Sequence, residues 1–269
     1  MQQKSSMRWV ILFILVFGTA MLNFSNLIFA SRPTDVMEQF NMTQTQLTAI
    51  STVGQLPGAF FSVWLGHMID KKGVRMLPGI LLALAAACQI WRCFAADYVS
   101  LFIITFLAGA FFLPTQILQG KLLGVWFSRE EMGTAMGIYG AGAGLGTTLA
   151  FAFGGLFPTI GIAFMVIAAG YVIEAALWFL FIKMPAGLAG GPVSEAPKGN
   201  LKNVFKSKNM WLLMICGGLS VGAALLLNSY LVNAFLAKGM APAAASGVAT
   251  LLNVCLLIGG ILSGIVVSK

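Results

Sequence analysis

The chain has 269 residues, 59% of them apolar and 9% charged. Soluble domains carry about 25% charged and roughly 45–50% apolar residues, so a soluble globular enzyme, a disordered tail and a disulfide-stapled secreted module are excluded. The formal charge of +8 rests on 16 basic residues set in the gaps between long apolar runs. That spacing fits the flanks of membrane helices rather than a nucleic-acid surface.

A membrane helix needs about 20 apolar residues to cross a hydrocarbon core about 30 Å thick. Uncharged runs lie between Arg8 and Arg32, Glu38 and Asp70, Arg75 and Arg92, Asp97 and Lys121, Glu131 and Glu174, Lys208 and Lys238, and Lys238 and Lys269. The fifth is too long for one span and is broken at Phe157-Pro158-Thr159-Ile160-Gly161. The runs predict an all-α membrane protein with about eight transmembrane helices, at roughly 7–30, 43–69, 76–97, 99–122, 132–156, 160–183, 209–236 and 242–267. They are too long and too evenly apolar for barrel strands of about 10 alternating residues.

The first helix follows Lys4 and Arg8 and carries Asn23 and Asn26. Its apolar stretch exceeds the 7–15 residues of a signal core, so the expectation is a retained span. Asn41 or Thr43 can cap the second helix. Leu77-Pro78-Gly79 opens the third, and Pro242 falls near the first turn of the eighth, where a missing N–H costs little. Cys88, Cys93, Cys216 and Cys255 all fall inside predicted helices without a C-x-x-C pair. They read as small apolar residues, and neither a metal nor a cofactor is expected.

With the N-terminus in the cytoplasm, thirteen of the 16 Lys and Arg residues lie inside and only Arg32, Arg92 and Lys238 outside. The expected location is therefore the inner, cytoplasmic membrane, multi-pass, with the N-terminus inside.

After Lys183 the texture turns to Gly, Pro, Ser and Lys, as in a linker. Beyond it the beginning recurs. Asn228-Ser229-Tyr230 matches Asn26-Leu27-Ile28, and Gly264 to Lys269 echoes Gly66 to Lys71. The expected organisation is a six-helix bundle over 1–183, a cytoplasmic linker over 184–208, and the first two helices of a second bundle over 209–269. A fragment of a longer protein, or a truncated gene product, is expected over a genuine eight-helix protein.

The loop after helix 2 reads Gly66-His67-Met68-Ile69-Asp70-Lys71-Lys72-Gly73-Val74-Arg75. It resembles the G-x-x-x-D-[RK]-x-G-[RK]-[RK] signature of the major facilitator superfamily, with Val74 as the one departure. The resemblance implies alternating access of two helix bundles around a mid-membrane site. It also implies that Gly66, Asp70, Lys71, Gly73 and Arg75 form a gating latch on the cytoplasmic side. The other reading is a topogenic anchor. Physically, Gly66 permits close backbone approach, Asp70 can pair with a cation or a helix N-terminus, and Gly73 supplies a turn. The stretch Val125 to Gly137 resembles the nitrate/nitrite and organic-anion branches of the same superfamily. Helix 2 lacks their arginine, however, helix 5 lacks their Asn, and Thr105 stands where a basic residue is common. Helix 5 also lacks the Gly-Pro of the drug-antiporter branch.

Polar groups in lipid tend to face a cavity or another helix. Thr19, Asn23 and Asn26 follow i, i+4, i+7 spacing on helix 1, and Thr105, Gly109, Phe112, Gln116 and Gln119 share a face of helix 4. Asn228 repeats the pattern on helix 7. The resemblance implies that these helices line the cavity. Asn23, Asn26, Gln116, Gln119 and Asn228 are therefore candidate substrate ligands, with Tyr139 and Gln55 in second rank; interhelical hydrogen bonding is the alternative. Arg92 is expected near the outer leaflet, its stem snorkelling, with an anion-attracting role as one option. Glu174, the only intramembrane carboxylate, is a candidate carrier of a coupling proton. Gly54, Gly58, Ser62 and Gly66, and likewise Gly133, Gly137, Ala141 and Gly144, form small-residue stripes for tight packing.

The expected function is a non-enzymatic secondary transporter moving a small solute, an organic or inorganic anion, through the lipid bilayer, driven by a solute gradient or by a proton as coupling ion. The alternatives are drug or metabolite efflux, and a non-transporting fragment or assembly partner. Single cysteines test the topology. Lys71→Cys and Lys198→Cys should be shielded from an impermeant maleimide added to sealed cells, and Arg32→Cys and Lys238→Cys labelled by it. Labelling of Lys71→Cys and Lys198→Cys from opposite faces would refute it.

Overall fold

The computed structural model describes residues 6–183 and 206–267, and all the regular elements among them are helical. The main part of the expected linker, 184–205, and the last two residues of the echoed loop lie outside the described residues. In chain order the helices are α1 (Met7–Ser31), α2 (Pro33–Gln39), α3 (Gln44–Val53), α4 (Leu56–Lys72), α5 (Met76–Arg92), α6 (Tyr98–Trp126), α7 (Arg129–Phe153), α8 (Ile160–Phe181), α9 (Lys208–Ala237) and α10 (Pro242–Val267).

Among the described residues, six segments are long and apolar enough to cross a membrane: α1, α6, α7 with the short turn to Leu156, α8, α9 and the Pro242–Gly260 part of α10. The expected count of eight is not matched by this measure. α5 has 17 residues, about 26 Å of helix. The second expected span is two helices. Pro57 lacks an N–H, and its ring clashes with the carbonyl four residues back, which belongs to Val53, the last residue of α3. The chain turns through Gly54 and Gln55 and restarts with Pro57 in the first turn of α4. A further difference is α2, a short helix in the outer loop.

Local chemistry sets the starts. Thr43, rather than Asn41, caps α3: its hydroxyl accepts from the Gln46 N–H, and Gln46 Oε1 accepts from the Thr43 N–H at 2.8 Å. Asn41 instead takes a left-handed turn, φ 49°. Asp97 and Ser128 build the same reciprocal caps on α6 and α7. The side-chain hydroxyl and backbone N–H of Ser100 hold the exposed Asp97 carboxyl below its ordinary pKa.

α1 is the axis of the bundle. It has 72% of its apolar window buried, whereas α9 has none of its own and buries only Asn228, Ser229 and Val232 near its outer end. α7 lies close along α1. A Cβ at Gly142 would strike the backbone of Val16, and one at Gly146 the backbone of Ala20. The tight face of α7 is therefore Gly142–Gly146 rather than the expected stripe. Gly144 turns the other way, onto Leu257 of α10. Gly109 of α6 meets the carbonyl of Gly54 at the α3–α4 break, while Gly58 and Gly66 of α4 make only ordinary contacts with α6.

Gly146→Ala should lower the apparent melting temperature in detergent by several degrees, because overpacking costs about 1–3 kcal/mol. Gly140→Ala, whose added methyl meets nothing within 4 Å, should leave it unchanged. A heating series read by size-exclusion recovery checks both.

Candidate functional site

Three polar groupings emerge, and the sequence candidates divide among them. The first sits at the end of the bundle expected to face the cytoplasm. Asp70 at the foot of α4 accepts from Lys121 Nζ of α6 at 2.5 Å. Gly73 ends α4 with φ 88°, a conformation that favours glycine. Arg75 then reaches across to donate to the carbonyl of Phe179 near the end of α8, at 2.6 and 3.2 Å. The loop is thus tied to α6 and α8, and Lys71 is exposed. Sequence reasoning missed a second tie at this end. Arg8 donates to both carboxylate oxygens of Glu131, at 2.9 and 3.0 Å, and stacks over Trp9 and Phe127. The visible signal was the Ser128/Glu131 capping box, which fixes that carboxylate at the start of α7.

The second grouping holds the amides of the half expected to face outward. Asn23 is half-buried and donates to the Thr19 carbonyl of its own helix at 2.9 Å. Asn26 is buried, with its Nδ2 unpartnered and its Oδ1 near Gly54. Asn228 Oδ1 accepts from Asn253 Nδ2 of α10 at 2.8 Å, joining α9 to α10. Asn253 was not anticipated, although a lone amide in an apolar helix opposite Asn228 was readable. Asn233 was missed as well; its Nδ2 is buried without a partner.

The helix 4 face divides. Thr105, Gly109 and Phe112 of α6 are packed inward: Thr105 bonds its own helix at the Leu101 carbonyl, Gly109 meets Gly54, and Phe112 lies 5.4 Å from the ring of Tyr171. Gln116 and Gln119 are half-buried, and Gln119 Oε1 has no partner. Gln55 is exposed at the α3–α4 break.

The third grouping lies inside the bundle, where α1, α5, α7 and α8 meet. Arg92 does not snorkel: it is 1% exposed and turned inward. Its NH1 donates to Ser25 Oγ at 2.6 Å and Gln89 Oε1 at 2.9 Å, and its NH2 to the Ser25 carbonyl at 3.0 Å. Phe29 and Phe164 sandwich the guanidinium, each ring centre 4.4 Å away. Aromatic faces and neutral acceptors hold this cation where lipid was expected to be relieved by snorkelling. Tyr171 lies beside Ser25 and Gln89. Glu174, one turn further along α8, fits its carboxylate against Gly18, where a side chain would not fit. Tyr139 of α7 is half-buried beside Thr19 and within electrostatic reach of Glu174. The structure thus brings Glu174, Tyr139 and Arg92 into one interior region, apart from the Asn228–Asn253 pair.

A cavity of about 570 Å³ opens at the ends of α1, α7, α9 and α10 opposite the Asp70 loop, with Ser31, Arg32, Phe151, Val232 and Thr250 in its wall. Arg32 is held there by Asp35 and by the carbonyl of Phe157. None of the amide candidates lines this cavity.

This helical architecture, with the glycine–aspartate loop after the second span, matches the family model described as Major Facilitator Superfamily over residues 10–269, and the chain belongs to that family. Its relatives include a probable L-galactonate transporter of Escherichia coli (strain K12), 20% identical over 229 residues, covering 75% of this chain and 49% of the relative. A probable nitrate/nitrite antiporter of Thermus thermophilus is 26% identical over 117 residues, 43% of this chain and 26% of that protein. The chain thus spans at most about half the length of these curated relatives. Crystal structures of a bacterial homolog to the human lysosomal transporter Spinster share the fold. The inward-facing, unoccupied form gives a TM-score of 0.74 at 14% identity, covering 93% of this chain and 60% of that one. The inward-facing, occupied form gives 0.72 at 15%, covering 96% and 62%.

Arg92→Lys should reduce stability by about 1–3 kcal/mol, because an ammonium cannot serve Ser25 and Gln89 while lying flat between two rings. Arg129→Lys, at an exposed position, should have no effect. Paired thermal melts of the purified variants decide it.

Proposed function

We propose that this chain supplies an N-terminal six-helix bundle (1–183), a cytoplasmic linker (184–208) and the opening helices of a second bundle (209–269) to a secondary transporter. It moves a small organic or inorganic anion across the cytoplasmic membrane by alternating access, with its N-terminus inside. The observation that carries the substrate class is the amide chemistry of α1 and α9. The buried Nδ2 groups of Asn26 and Asn233 have no acceptor among the described residues, and an amide N–H is satisfied by an oxygen acceptor such as a carboxylate or an oxyanion. The names of the relatives, a galactonate transporter and a nitrate/nitrite antiporter, point to the same class.

In this reading Asn23, Asn26, Gln116, Gln119 and Asn228 contact the solute from α1, α6 and α9, with Tyr139 beside them. Arg92 acts from inside the bundle by its positive field. Glu174 carries the coupling proton. Gly66, Asp70, Lys71, Gly73 and Arg75 form the latch, and the Asp70–Lys121 pair, made within one bundle, suits a state in which the latch is not engaged across bundles. The inward-facing conformation of the Spinster homologs supports the same state. A second reading, assembly without transport, draws on α9, whose first half is exposed from Lys208 to Ser220.

Proteoliposomes containing the purified chain test this with labelled L-galactonate and nitrate under an inward proton gradient. Gradient-driven uptake of one of them is expected. Asn26→Ala should reduce it on the order of tenfold, the worth of about one hydrogen bond to a charged group. Glu174→Gln should abolish the response to the gradient and spare counterflow. Folded, monodisperse protein that moves neither anion would leave the assembly reading standing.

A further inference from the structure

The cavity of about 570 Å³ at the ends of α1, α7, α9 and α10 holds none of the candidate amides, yet its wall carries a cation, an acid and several hydroxyls. The segment from the end of α1 into α2 brings Ser31, Arg32 and Asp35 to one side, and α10 brings Ser246 and Thr250 to the other. Their hydrogen-bonding capacity is only partly used. Arg32 reaches a single oxygen of Asp35, Oδ2, from Nε at 2.7 Å and also from NH2, and its NH1 donates to the carbonyl of Phe157. A guanidinium has five N–H groups, so two remain. Oδ1 of Asp35 bonds no described residue, and the Asp35 side chain is half-exposed, which leaves the pair open to solvent. Ser31 and Thr250 donate to the carbonyls of Ile28 and Ser246, at 2.8 and 2.9 Å, and each hydroxyl oxygen can still accept.

Size and chemistry together choose the ligand. At about 30 Å³ per water, the space holds on the order of twenty waters, and it falls within the roughly 300–1,000 Å³ of small-molecule sites. A four-atom oxyanion fills a small part of it. Such an anion also carries acceptors only. It would take the free N–H groups of Arg32, but it offers no donor to Asp35 Oδ1, Ser31 or Thr250, and an acceptor cut off from water without a donor is costly. A polyhydroxylated carboxylate carries both kinds of group. Its carboxylate accepts from Arg32, its hydroxyls donate to the three spare acceptors, and the ring of Phe151 in the same wall gives its C–H face an apolar surface.

On the reading of this chain as an anion transporter, we infer that the cavity is a second solute site, which takes a sugar acid through Arg32 and Asp35 and rejects inorganic oxyanions. Its place suits a station on the solute's route. Ser31 lies five residues beyond Asn26 on α1, and Val232 four beyond Asn228 on α9, so the cavity is displaced by about 6–8 Å along both helices from the amides.

Cysteine protection on the purified chain in detergent reads this cavity without transport. In a background with Cys88, Cys93, Cys216 and Cys255 changed to Ser, Ala152→Cys and Ala243→Cys place a thiol on the α7 and α10 sides of the wall, and Lys238→Cys places one outside it. At about ten times its Kd, L-galactonate should slow maleimide labelling of either wall thiol about tenfold, as mass action requires, and leave Lys238→Cys unaffected. Nitrate, and acetate as a carboxylate without hydroxyls, should not protect. Arg32→Gln should raise the half-protecting concentration of L-galactonate by about tenfold or more, the worth of a hydrogen bond to a charged group, whereas Asn26→Ala should leave it unchanged. Either wall thiol suffices if the other variant does not fold. Labelling that L-galactonate does not slow overturns the site, and equal protection by nitrate or acetate overturns the ligand class. Protection that Asn26→Ala removes and Arg32→Gln spares overturns the site as well, by placing the ligand at the amides. Uptake into proteoliposomes is scored on the same preparations: uptake without protection overturns this site alone, and protection without uptake overturns the transport reading alone.

Discussion

Between helices in hydrocarbon there is little hydrophobic driving force, so they hold together through close van der Waals contact and interhelical hydrogen bonds. In this bundle the contact is concentrated on α1. Gly142 and Gly146 of α7 lie against its backbone at Val16 and Ala20, and Gly170 of α8 lies against Met21. The notch works in reverse at Gly18, where α1 is bare and α8 supplies the carboxylate of Glu174. One helix thus receives backbone from one side and a carboxyl group from the other. The polar interior exists because those glycines let α7 and α8 close over it.

The energetics of that interior are those of a buried cation and a buried acid that do not touch. A lone charge in low dielectric is costly, by several kcal/mol after relaxation. Arg92 offsets this by donating to three oxygens and by lying between two aromatic faces. Glu174 has no such set of partners: its Oε2 is buried and unmatched. The asymmetry assigns different work to the two groups. A guanidinium stays charged in any environment a protein provides, so its partners serve to fix it. A carboxyl, by contrast, can change its charge by taking up or losing a proton.

How much of this could be read from the sequence follows from which forces are local. Span length depends on counting apolar residues, so the long helices were legible, as were the caps at Thr43 and the first turn at Pro242. The turn at Gly73 was legible for the same reason. The division of the second span was not, because its cause is the meeting of Pro57 with Val53, and a run of uncharged residues hides a proline inside it. Arg92 was misjudged for a tertiary reason. Helical rise puts it near the outer end of α5, but whether it turns to water or inward depends on Ser25, Phe29 and Phe164, which come from two other helices. The candidate face of α6 divides for a tertiary reason as well. Thr105 and Gly109 do share a side, and that side is covered by the α3–α4 break. Asn253 was overlooked because one amide in a helix shows no period; only its partner Asn228 gives it meaning.

The placement of glycines on α7 bears on how two bundles can move against each other. Gly142 and Gly146 are one turn apart on a single face. Gly144, two residues on from Gly142, points about 200° around the helix, onto Leu257 of α10. α7 is therefore thin on both sides: locked into the backbone of α1 on one, and in close contact with α10 on the other. The two contacts differ in kind. The α1 side interdigitates backbone with backbone, where any sliding would drive a carbonyl into a Cα. The α10 side sets Gly144 against the Cα, Cβ and N of Leu257, with no α10 carbonyl among its nearest atoms. In the proposed alternating access, α1 and α7 would move as a unit, carrying Thr19 and Tyr139 with them, while the Asn228–Asn253 pair would move with α9 and α10. A solute held between Asn26 and the α9 amides would span that boundary, so its binding and the relative motion of the two units would be the same event.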